Sequence, residues 1–204
     1  MVSTLNIRRF LFMFLTTLLL GGITILATGL AIGWGDMTGG GDQASELVAA
    51  IIWMFIVGLL FSMISQMGFF AYLLVHRLGL GVFKPKLWTW IQVLLIAFVL
   101  FDLVYFRYIA FGTELDTWTQ FTTLPIILLI VGLIAAFIKA KLTNSKAFIP
   151  ALFFLTVVTT VEAVPAIIQN DQNWTTMMTT TILVCNLYQL LILQRLTKPI
   201  EQKA

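Results

Sequence analysis

Four stretches of this sequence run for 21 residues or more without a charged side chain: Phe10 to Trp34, Leu47 to Val75, Trp118 to Ile138 and Trp174 to Gln194. Crossing about 30 Å of hydrocarbon at about 1.5 Å per residue takes about 20 apolar residues, so each can span a bilayer as a helix. Leu87 to Phe106 and Ala147 to Ile168 reach a similar length with one carboxylate apiece, Asp102 and Glu162. Lipid offers the backbone no hydrogen-bond partners, so a spanning segment must satisfy its own, which a helix does. Only 10% of the residues are charged, against about a quarter in soluble domains, too few to give a globule of this size a polar shell. The expected fold is all-α: a polytopic membrane protein with six transmembrane helices, at about 10–34, 47–75, 87–106, 118–138, 147–168 and 174–194, in one integral-membrane domain over residues 1–204. The longest connection, Gly35 to Glu46, has 12 residues and cannot bury a core of its own.

Basic residues fix the expected orientation, because lysine- and arginine-rich loops stay cytoplasmic during insertion. Arg8 and Arg9 precede the first span. Arg77, Lys84 and Lys86 lie between the second and third, Lys139, Lys141 and Lys146 between the fourth and fifth, and Arg195, Lys198 and Lys203 after the sixth. Arg107 is the exception. The alternate loops carry Asp36, Asp42, Glu46, Glu114, Asp116 and Asp171. Both termini are therefore expected in the cytoplasm, with the chain crossing the membrane six times. A cleaved signal is disfavoured by the length of the first apolar stretch, since a signal core has about 7 to 15 residues. The basic face is suited to anionic membrane lipid and does not imply nucleic acid.

Little catalytic chemistry is available. One cysteine (Cys185) and one histidine (His76) exclude a disulfide framework and clustered metal ligands. No HExxH, GxSxG or glycine-rich phosphate loop occurs; Gly39 to Gly41 lie between Asp36 and Asp42 with no strand before them. No enzyme, metal or cofactor is expected. Asn173-Trp174-Thr175 matches a glycosylation pattern but abuts the sixth span and is set aside. Small residues at helix-packing spacing, Gly29 with Gly33 and Gly132 with Ala136, read as helix contacts.

What remains are polar groups within the spans. Asp102 and Glu162 lie at a common height, about 22 Å from the cytoplasmic ends of their helices. Arg107, five residues after Asp102, is on a different side of that helix and is placed to reach Glu162 or the outer headgroups. These three form a candidate intramembrane cluster, either a site for a proton or cation or an interhelical clamp. The clamp is the simpler reading, since the insertion cost of a charge falls toward the end of a span. Gln66, Asn186 and Gln189 are amides able to bridge helices. His76 and Arg77, followed by the segment containing Lys84 and Lys86, form a candidate partner-contact or interfacial surface together with Gln66.

The stretches SQMGFFAYLLVHRLGLGVFK, from Ser65 to Lys84, and QVLLIAFVLFDLVYFRY, from Gln92 to Tyr108, resemble the KbaA family of KinB-signalling pathway activation proteins from endospore-forming bacteria. That resemblance implies a non-catalytic membrane regulator supporting the sensor kinase KinB at the head of the sporulation phosphorelay, with KinB or its accessory proteins as partner. The residues themselves leave open a small transporter or ion-coupled carrier using Asp102 and Glu162, and they do not determine an oligomeric state.

Overall fold

The computed structural model describes residues 7–32, 44–112 and 117–197, and every regular element among them is helical. The rods are α1 (Ile7–Ile32), α2 (Ala44–Val82), α3 (Pro85–Phe111) and α4 (Trp118–Leu142), then an interrupted fifth rod, and finally α7 (Gln172–Thr197). The fifth rod comprises a 3-10 turn (Ser145–Ala147), α5 (Phe148–Phe153), a π-helical turn (Phe154–Val158) and α6 (Thr159–Gln169). Six of these helical rods are long and apolar enough to cross a membrane. The acidic residues Asp36, Asp42, Glu114 and Asp116, the glycine run at 39–41, Gly33, Lys198 and Lys203 fall outside the described residues.

The second rod differs most from the sequence expectation. It continues as helix to Val82, past the expected end at Val75, so His76 and Arg77 sit on its last turns. Nothing from 76 to 82 is incompatible with helix: the glycines there weaken it but do not break it. Pro85 supplies the break, because proline disfavours helical backbone at the preceding residue, and Lys84 is extended at φ −59° and ψ 140°. Proline is then well placed to start α3, where its missing N–H has no helical partner to lose. The fifth rod ends at Asn170, in the left-handed region at φ 53°, which asparagine tolerates better than most residues.

The chain divides into two compact units, 1–66 with 172–204, and 67–171. In the first, α1 and α7 pack along their lengths, and α1 meets the first part of α2 at glycines. A Cβ on Gly58 would lie 2.7 Å from the Gly21 carbonyl oxygen and 2.8 Å from the Gly22 Cα, so the two backbones approach as only glycine permits. The Phe55 ring fills the space over Gly22.

In the second unit the core is aromatic. Phe69 and Phe154 are wholly buried, edge to face at 5.5 Å, and the Tyr72 ring lies 4.9 Å from that of Phe154. The fifth rod is the most enclosed of the six, 72% buried in its apolar window against 28% for α3. Gly132 and Ala136 of α4 do serve helix packing: a Cβ on Gly132 would come within 3.0 Å of Leu152, and Ala136 is fully buried.

Candidate functional site

Polar groups buried among apolar helices must find partners within the protein. In the first unit they form a ladder across three helices. Ser65 Oγ donates to Asn186 Oδ1 at 2.7 Å and accepts from Gln189 Nε2 at 2.7 Å, joining α2 to α7. Ser62 Oγ donates to the Thr17 carbonyl at 2.7 Å, joining α2 to α1. Gln66 Nε2 makes longer bonds to the Phe14 carbonyl (3.4 Å) and Ser62 Oγ (3.3 Å). Tyr188 adds a bond to Thr16 Oγ1 at 2.9 Å. Gln66, expected either as a helix bridge or as a contact residue, is turned inward and only 2% exposed. Asn186 and Gln189 bridge helices as their residue type suggests. Ser62 and Ser65 were missed, because a serine in an apolar stretch carries no sign of which neighbour it faces.

In the second unit Glu162 is buried, and its carboxylate occupies the space that a Cβ on Gly68 would fill. The two are level: Gly68 lies about 14 residues, or 21 Å, before the end of α2 at Val82, and Glu162 about 17 residues above Ser145. The rod carrying Glu162 is irregular on both sides. The π turn displaces the hydrogen-bond ladder before it, and Thr156 and Thr160 hydroxyls donate to the carbonyls of Leu152 (2.8 Å) and Thr156 (2.7 Å). Pro165, one turn after Val161, has no N–H to give that residue's carbonyl. The other two members of the expected cluster are placed separately. Arg107 lies over the Phe121 ring, its Cζ 5.6 Å from the centroid, a cation–π contact between α3 and α4. Asp102 is partly exposed on α3.

The expected contact segment is a structured elbow between α2 and α3. Trp88 Nε1 donates to His76 Nδ1 at 3.1 Å, and Gln92 Nε2 lies 3.3 Å from the same nitrogen. The Trp88 indole covers Gly79, where a Cβ would collide with it, and stacks parallel to the Phe83 ring at 6.1 Å. Gln92 is fully buried, and its Oε1 has no hydrogen-bond partner among the described residues, a cost of about 1 to 3 kcal/mol. One turn earlier, Tyr72 donates from its hydroxyl to the Pro150 carbonyl at 3.0 Å, tying α2 to the fifth rod. Arg77, Lys84 and Lys86 remain exposed beside Leu78, Leu80, Val82 and Phe83. Trp88 and Gln92 were not legible as partners of His76, since both sit on the far side of the proline break.

No group of three or more His, Cys, Asp or Glu side chains able to hold a metal is present among the described residues. The geometry offers helix clamps, one buried carboxyl and a basic elbow. Comparison with known proteins is consistent with the resemblance seen in the sequence. The family model described as KbaA, KinB-signalling pathway activation in sporulation, matches residues 21–196. A KinB-signaling pathway activation protein of Bacillus subtilis (strain 168) is 37% identical over 185 residues, covering 89% of this chain and 93% of that protein. No solved structure matches. The chain therefore belongs to the KbaA family of KinB-signalling pathway activation proteins.

Proposed function

We propose that this protein is a membrane-embedded, non-enzymatic regulator that supports activation of the KinB sensor kinase at the start of the sporulation phosphorelay. Family membership carries this reading. The helical architecture supports it: six rods suited to lipid, joined by connections no longer than residues 33–43, leave a chain of this kind to act through helix faces and short surfaces. In this reading it is a multi-pass protein of the bacterial cell membrane with both termini cytoplasmic, and it associates laterally with the kinase or an accessory protein. The elbow at residues 76–86 is the proposed cytoplasmic contact, because its bonded core holds Arg77, Lys84 and Lys86 on a fixed support. Deleting the gene and following KinB-dependent sporulation tests the assignment: signalling should fall sharply, and unchanged signalling would refute it. Crosslinking from positions 77, 84 and 86 in intact membranes then asks whether the contact with the kinase is direct.

A further inference from the structure

The elbow has a second consequence that does not depend on the kinase. An indole N–H can only donate, so the Trp88 bond makes His76 Nδ1 an acceptor and leaves the ring hydrogen on Nε2. With Gln92 Nε2 also directed at Nδ1, that arrangement is held from two positions on α3. Nε2–H is then the second donor of a half-buried ring, with no acceptor among the described residues. The surroundings are cationic. Arg77, Lys84 and Lys86 are exposed, and no aspartate or glutamate occurs between Glu46 and Asp102. Apolar side chains of the elbow and the start of α3 are exposed as well, with Val82 at 75%, Leu87 at 51% and Trp90 at 64%.

We propose that the α2–α3 elbow binds the headgroup of an anionic phospholipid, its phosphodiester accepting from His76 Nε2–H within the field of Arg77, Lys84 and Lys86. The acyl chains lie against the exposed apolar side chains, which a free phosphate ion would leave uncovered; this is why a lipid is the occupant that fits. The Trp88 indole suits the same level, where amphipathic rings settle between headgroups and hydrocarbon. The inference rests on the membrane-embedded reading above, and a kinase contact at Arg77, Lys84 and Lys86 would compete with the lipid for the same cations.

Bromolipid quenching of Trp88 tests it in the full chain. The other five tryptophans are replaced by phenylalanine, and the protein is placed in phosphatidylcholine nanodiscs containing either brominated phosphatidylglycerol or brominated phosphatidylcholine. At about 1 kcal/mol per basic residue near the surface, the anionic lipid should be preferred by at least about fivefold, and Lys84→Gln and Lys86→Gln should each reduce the preference by up to about fivefold. His76→Phe should also reduce it, whereas His76→Gln, whose amide can accept from Trp88 and donate outward, should retain it. Equal quenching by the two lipids would overturn the proposal. So would a preference insensitive to His76→Phe, which would mean diffuse surface charge, or displacement of the brominated lipid by inorganic phosphate. Failure of the protein to enter nanodiscs at all would overturn the membrane reading, and this proposal with it, as a separate result.

Discussion

Between α1 and the first part of α2, Gly21, Gly22 and Gly58 bring backbone against backbone, and a ladder of serine and amide side chains runs across to α7. From Met67 to Asp171 the helices are instead held apart by rings, Phe69, Tyr72, Phe153 and Phe154, and the fifth rod departs from regular α geometry at its π turn. The difference teaches that apolar helices can be joined in two ways. One region gains close dispersion contact and short hydrogen bonds, and the other gains aromatic contact and irregular backbone. The first arrangement is intolerant of added volume, because its neighbours are backbone atoms. The second leaves room for a carboxyl group and an elbow.

The sharpest way to break the contrast is Gly58→Val. Its side chain would press on the Gly21 carbonyl and Gly22 Cα, so a loss of about 3 kcal/mol is expected in unfolding by sodium dodecyl sulfate titration. A loss below about 1 kcal/mol would show that the close approach is not needed. Ser65→Ala removes the hydroxyl that both donates to Asn186 and accepts from Gln189, and should cost about 1 to 2 kcal/mol in the same titration. Gly68→Ala tests the other region by the same logic. Here the obstacle is the mobile end of Glu162, which can rotate, so the expected loss is about 1 kcal/mol and smaller than at Gly58.

Tyr72→Phe keeps the ring packed on Phe154 and deletes the bond to Pro150, for about 1 kcal/mol. Glu162→Gln has the smallest expected effect on stability, under about 1 kcal/mol, because the amide fits the same seat beside Gly68. For the regulator, kinase-dependent sporulation should survive it. Loss of uptake of a solute at unchanged protein level would favour an ion-coupled carrier instead.

The apolar spans were legible because their signal is local: about 20 uncharged residues are recognisable without knowing their neighbours. The helical course through His76 to Val82 and the break before Pro85 were not legible, because the glycines in that stretch weaken a helix without marking where it ends. Glu162 stood out as a charge in an apolar run, but its seat did not. Gly68 is 94 residues away, and a glycine announces only that space is free, not what fills it.

Sequence by itself determined the number of rods long and apolar enough to cross a membrane, and the family, since composition, span length and residue identity are properties of the chain taken in order. Tertiary structure alone decided that Ser65 lies between Asn186 and Gln189, that Arg107 covers Phe121, and that Trp88 sets the hydrogen on His76. Each of those depends on the rotation of one helix about its axis relative to another. Apolar side chains surround these helices nearly on all sides, so hydropathy gives no face to read, and only packing selects which polar groups meet.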